Sequence, residues 1–185
     1  NTLACRKASQ FMVVNTAKRF SITTDIIVKC ASGSTNIYIP HIMRALMECG
    51  YASSIYGDVY DELFSLESKN GIFVQAKYAP TSDVIEAIHE AGGVAVLAHS
   101  GLFGAEEIEK YISLGLDGIE VWSPYNDEET TDALLKLAKK AKILALGGSD
   151  FHGLYNNVPT HLGSGQTTKE NLDRILKLAA SLKQT

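Results

Sequence analysis

A chain of 185 residues, 45% of them hydrophobic, with a formal net charge of −4, is long enough to bury a substantial core. Mild acidity excludes the broad nucleic-acid coating that clustered Lys and Arg would provide, while leaving room for a small nucleotide or a nucleic-acid end. The longest apolar runs fall far short of the roughly 20 residues that a membrane-spanning helix needs, so no membrane partner is expected. Cys5, Cys30 and Cys49 are odd in number and have no CxxC spacing. They predict neither a disulfide framework nor a cysteine zinc site, and a reducing cytoplasm is the expected home.

In chain order, the pattern opens on Asn1 and enters a helix at once, Leu3 through Phe20, with Phe11, Met12, Val14 and Ala17 as its apolar stripe. A chain that starts this way reads as a piece of a longer protein. Thr23-Thr24-Asp25 is a helix-starting cluster ahead of Ile26-Ile27-Val28. Gly33-Ser34-Thr35-Asn36 marks a turn, after which Pro40 opens a helix with Ile42, Ala45, Leu46 and Cys49 on one side and Gly50 at its end. A further helix is predicted over Val59 to Leu66. Nothing in this part alternates between strand and helix, so residues 1–75 are expected to be a small helical insertion or cap module.

From Thr81 the pattern changes. A helix over Val84 to Ala91 precedes the apolar strand that ends at His99, and a helix over Ala105 to Leu114 precedes the strand that ends at Trp122. A helix over Glu128 to Lys140 precedes the strand that ends at Gly147; a last helix covers Lys169 to Leu182, with Thr160-His161-Leu162-Gly163-Ser164 as an expected short edge strand. Short apolar runs alternating with helices indicate an α/β fold with parallel strands, whose ligands gather at the strands' carboxyl ends. His99, Glu120, Asp150 and His152 are therefore expected on one rim.

Asp150 and His152 carry the strongest signal. In an extended segment, side chains at i and i+2 leave the same face, and the glycines of Gly147-Gly148-Ser149-Asp150-Phe151-His152-Gly153 let the backbone turn sharply around something bound. Mixed imidazole and carboxylate donors suit manganese, zinc or iron. Such ions lower the pKa of bound water from about 15.7 towards about 7 and polarise phosphoryl oxygens. Arg44, with a planar fork of donors, suits phosphate charge, and His41 at a helix start is a second candidate. Glu120 is an open case, since a strand-end carboxylate also serves as a salt-bridge partner. His89 and His161 read as structural or solvent-facing, and Trp122 and Tyr125 as packing.

Three motifs, Gly92-Gly93-Val94-Ala95-Val96-Leu97-Ala98-His99, Asp117-Gly118-Ile119-Glu120-Val121 and Gly148-Ser149-Asp150-Phe151-His152-Gly153, stand in an order that resembles the carboxyl-terminal part of PHP-domain (polymerase and histidinol phosphatase) metal-dependent phosphoesterases. Ile39-Pro40-His41-Ile42-Met43-Arg44-Ala45-Leu46 with Gly50-Tyr51 resembles the helical insertion of the branch that hydrolyses nucleotide phosphates and degrades short RNA from its 5' end, as an exonuclease. The resemblance implies a distorted (βα)7 barrel, here partial and formed by residues 76–185, around two or three divalent metal ions. It implies metal ligation by His99, Asp150 and His152, catalytic roles for Asp150 and His152, and substrate phosphate contacts from His41 and Arg44. The expected activity is hydrolysis of phosphate esters of nucleotides or short RNA ends by metal-activated hydroxide. Ile39 stands where that branch usually has an arginine, which removes one phosphate contact. The family's opening histidine motif, with the ligands that follow it, is expected upstream of Leu3. Two alternatives follow: a truncated, inactive piece that binds metal or phosphate, and a phosphatase of a small metabolite of the histidinol phosphate type.

Overall fold

The computed structural model describes residues 1–156 and 158–182, which fold as two compact units, Asn1–Tyr78 and Ala79–Thr185. Asn157 and residues 183–185, within the expected barrel part, lie outside the described residues.

The first unit carries helices α1 (Thr2–Arg19), α2 (Thr24–Cys30), α3 (Ile39–Glu48) and α4 (Asp58–Phe64), and no strand among the described residues. Thr23 is extended before α2, and Asp25 in the first turn complements the helix dipole. Pro40 occupies the second position of α3, where its missing N–H costs nothing. Gly50, at φ +77, then lets Tyr51 N–H donate back to the Leu46 carbonyl at 2.8 Å and closes the helix. Ile27, Ile42, Met43, Ala45, Leu46 and Leu63 are fully buried and form the centre of this unit.

The face of α1 differs from the expected stripe. Ala8, Ser9, Met12, Val13 and Thr16 are buried, whereas Phe11 is 51% and Val14 38% exposed. Thr16 can occupy a core position because its hydroxyl donates to the Met12 carbonyl at 2.8 Å, which satisfies the polar group inside the helix.

The second unit holds α5 (Thr81–Glu90), β1 (Val96–Leu97), α6 (Ala105–Ser113), β2 (Gly118–Trp122), α7 (Glu128–Ala141), β3 (Leu144–Gly147) and α8 (Lys169–Leu182). The strands form a parallel sheet in the order β1-β2-β3, with Val96 opposite Gly118 and Glu120 opposite Leu146. Ile85, Ala95, Ile108, Leu116, Ile119, Val121, Leu134, Ala138 and Ala145 make one buried cluster of sheet and helices. The register shifts between Glu120 and Trp122, a bulge at the end of β2 where the chain turns into the loop that carries Tyr125.

Asp117 stitches the sheet at its other end. Its carboxylate accepts the Ala95 N–H at 2.7 Å and lies 2.8 Å from His89 Nε2, while its carbonyl accepts the Leu144 N–H at 2.8 Å. His89 is thus a structural partner of this carboxylate.

Residues Thr160 to Ser164 form a turn rather than an edge strand. The reason lies in Gly163, which at φ +85 reverses the chain so that the Ser164 N–H donates back to the His161 carbonyl at 3.1 Å. The edge of β3 is instead met by side chains: Thr167 Oγ1 accepts the Gly147 N–H at 2.9 Å and lies 3.1 Å from its carbonyl.

Candidate active site

Because the strands are parallel, the segments that follow β1, β2 and β3 leave the sheet on the same side. His99 stands two residues past β1, Glu120 within β2, Tyr125 in the loop after β2, and Asp150 and His152 in the loop after β3.

The chain is strained at this rim. His99 and Asp150 are two of the non-glycine residues with positive φ, +51 and +46. Each such residue costs on the order of 1–3 kcal/mol, and this kind of strain concentrates where function requires it.

His99 is tied to Glu120: its backbone N–H donates to Glu120 Oε2 at 2.6 Å, and its Nδ1 lies 4.0 Å from the same oxygen. Ser100 Oγ donates to the Glu120 carbonyl, so the strand end and the turn after β1 are fastened together. The Glu120 side chain is 15% exposed. Gly148 leaves room for it, since a Cβ there would stand 3.2 Å from Glu120 Oε1.

Asp150 and His152 come together by another route than strand alternation. The segment is not extended at Asp150, and the pair meets around the Asp150 carbonyl, 2.7 Å from His152 Nδ1. A carbonyl only accepts, so Nδ1 carries a proton, and in the neutral ring Nε2 has the lone pair. Metal-ligating histidines are held in this way by a backbone carbonyl or carboxylate on the other nitrogen. Asp150 Oδ1 lies 3.4 Å from His152 Nδ1.

Two further residues complete the arrangement: Asn156, which the sequence pattern does not mark, and Tyr125, which it marks only as packing. Asn156 clamps the loop with both ends of its amide: Oδ1 accepts the His152 N–H at 2.5 Å and Nδ2 donates to the Asp150 carbonyl at 2.9 Å. Tyr125 donates its hydroxyl to Asp150 Oδ2 at 2.7 Å, and its ring centroid lies 5.8 Å from that of His99. No spacing rule points to either; the only sequence cue for Tyr125 was its place after a strand carrying a candidate carboxylate.

The result is two donor pairs, His99 with Glu120 and Asp150 with His152, bridged by Tyr125. Their imidazoles and carboxylates suit a divalent ion. Among the described residues, no group of three or more His, Cys, Asp or Glu side chains is gathered closely enough to hold one unaided.

His41 and Arg44 belong to the first unit, three residues apart on α3. The Tyr38 N–H donates to His41 Nδ1 at 3.0 Å, so in the neutral ring Nε2 carries the proton. Burial, helped by the Arg44 charge, lowers the His41 pKa below its ordinary value and favours that neutral ring. Arg44 Nε lies 3.1 Å from Glu48 Oε1 in an exposed i,i+4 pair. His161 is exposed, and its carbonyl accepts from Ser164.

No protein-family model matches the chain. It is 31% identical over 147 residues to a phosphoribosyl 1,2-cyclic phosphate 1,2-diphosphodiesterase of Eggerthella lenta, covering 78% of this chain and 54% of that protein. It is 32% identical over 118 residues to the 5'-3' exoribonuclease Rnm of Escherichia coli, covering 60% of this chain and 39% of that protein. A crystal structure of a metal-dependent phosphoesterase from Bifidobacterium adolescentis superposes with a TM-score of 0.81 at 30% identity, over 96% of this chain and 63% of that one. An amidohydrolase from Chromobacterium violaceum, 21% identical, shares the fold with a TM-score of 0.69 over 95% of this chain and 64% of its own. The chain thus spans about half, or less, of the curated relatives it matches. Its likeness in sequence and in fold, together with its three motifs, makes it a relative of the PHP-type metal-dependent phosphoesterases.

Proposed function

We propose that this chain forms the carboxyl-terminal face of a phosphoesterase that hydrolyses phosphate esters of nucleotides or short RNA ends, with His99, Asp150 and His152 holding divalent cations. The observation that carries the reading is the His152 imidazole, whose Nδ1 proton is committed to the Asp150 carbonyl while the Asp150 carboxylate lies beside it. With Nδ1 held on the Asp150 side, the neutral ring turns its Nε2 lone pair outward, and a histidine held by a backbone carbonyl on its other nitrogen is the usual form of a metal-ligating one. Two or three ions of manganese, zinc or iron fit the donor types. When bound, they supply a hydroxide near neutral pH and neutralise phosphoryl charge.

In this reading the sheet and its helices are part of a distorted seven-unit barrel, and the ligands that complete the ion sites come from the portion of the relatives that this chain does not span. Glu120 holds the His99 backbone and adds a second carboxylate at the rim. His41 Nε2–H, in the neutral ring, and the Arg44 guanidinium are the candidate contacts for substrate phosphate; both are donors, which phosphate oxygens require. Ile39 offers no such donor, which shifts the preference among phosphate esters. The three unpaired cysteines suit a reducing cytoplasm.

A second reading, an inactive metal- or phosphate-binding piece, is favoured by the two separate donor pairs. Metal content and turnover of a panel of nucleotide, RNA-end and small-metabolite phosphate esters, measured on this chain and on the full-length protein, separate the two. Activity with bound metal in the full-length protein alone supports the phosphoesterase reading and makes this chain one face of its site. Absence of both from the full-length protein overturns it.

A further inference from the structure

The bridge between the two donor pairs has a physical role of its own. Asp150 has a strained backbone, and a carboxylate on a single side-chain stem can rotate; its two oxygens offer about four lone-pair directions. The Tyr125 hydroxyl takes one of these at Oδ2, at 2.7 Å, and so fixes the plane in which the others point. The same ring lies tilted 46° against the His99 imidazole. Tyr125 itself is placed by a braced loop. Pro124 precedes it, its N–H lies 3.4 Å from Ser123 Oγ, and Asn126 donates N–H to the Ser123 carbonyl at 3.1 Å and Nδ2 to the Val121 carbonyl at 2.9 Å. The neighbouring turn accepts this loop only because residue 101 is glycine: a Cβ there would stand 2.0 Å from Asn126 Oδ1. So rigid a brace is not needed to pack a ring that is 40% exposed.

We propose that Tyr125 is a positioning residue for the cation site: its hydroxyl orients the Asp150 carboxylate while its ring limits the His99 imidazole, so that the donors at the two strand ends keep fixed directions. The inference rests on the reading of Asp150 and His99 as ligands. A hydrogen bond to a ligating carboxylate acts through the ligand, so its loss weakens metal affinity by about 10–100-fold without touching the substrate.

The test is Mn2+ affinity by equilibrium dialysis on the full-length protein, for wild type, Tyr125→Phe and Asp150→Asn, with the melting temperature of each in chelator. Tyr125→Phe keeps the ring and removes only the hydroxyl. Affinity is expected to fall about 10–100-fold in Tyr125→Phe with the metal-free melting temperature unchanged, and raised Mn2+ restores its turnover. Unchanged Mn2+ affinity in Tyr125→Phe alongside a loss in Asp150→Asn overturns the role of Tyr125 and spares the site. Unchanged affinity in both variants overturns the site reading and the inference with it. A fall in affinity accompanied by a lower metal-free melting temperature makes Tyr125 a packing residue and overturns the proposal.

Discussion

At the scale of residues, the site depends on which atoms are committed and which are left to give. His152 offers one nitrogen because Asp150 occupies the other, and Asn156 holds both backbones in register. Asp150→Ala in the full-length protein is expected to lower turnover by more than about 100-fold and to reduce bound metal, measured by steady-state kinetics and elemental analysis. His41 makes a prediction about pH. Its folded pKa is lowered, so the contribution of the neutral ring to stability is complete above the ordinary histidine value and is lost as pH falls through the folded value. The melting temperature of wild type should therefore decline more steeply below about pH 6.5 than that of His41→Gln. Arg44 pairs with Glu48 on an exposed helix face, an interaction worth no more than about 0.5 kcal/mol. Arg44→Ala should leave stability nearly unchanged and raise KM for phosphate esters several-fold; a fall in kcat instead would place the guanidinium on the transition state.

At the scale of elements, apolar runs and glycines were legible in the sequence, and the contacts across loops were not. The helices starting at Thr24 and Ala105 could be read because capping and periodicity are local. The buried face of α1 was misjudged because Thr16 hides its hydroxyl on its own helix, which makes a polar residue fit the core. Thr160 to Ser164 looked like a strand by composition, yet the backbone conformation of Gly163 decides for a turn. Tyr125 reads as packing and Asn156 carries no signal, because their partners lie on other segments or depend on a turn at Asp150, and spacing carries no record of that. Two predictions belong here. Gly165, at φ +71, rests against the loop that presents Asp150, and a Cβ would stand 2.4 Å from the Gly148 carbonyl oxygen. Gly165→Ala is thus expected to cost about 1–3 kcal/mol and to lower metal affinity, read by chemical denaturation and dialysis. Asp117→Ala leaves the Ala95 N–H without its acceptor and should cost about 1–3 kcal/mol, with activity per folded molecule retained.

At the scale of the whole molecule, the chain divides after Tyr78, where the change in sequence pattern suggested a boundary after Gln75. His41 and Arg44 lie in the first unit, and His99, Glu120, Asp150 and His152 in the second. No described helix is long and apolar enough to cross a membrane. The placement of the rim residues was legible because parallel strands send the segments after them to one side of the sheet, whereas the pairing of His99 with Glu120 and of Asp150 with His152 depends on loop turns that spacing does not record. Anomalous diffraction from crystals of the full-length protein grown with Mn2+ or Zn2+ tests the central claim most directly. Ions within about 2.0–2.2 Å of a His152 ring nitrogen and an Asp150 carboxylate oxygen are the predicted result. A metal-loaded, active enzyme whose ions lie away from His99, Asp150 and His152 would contradict it.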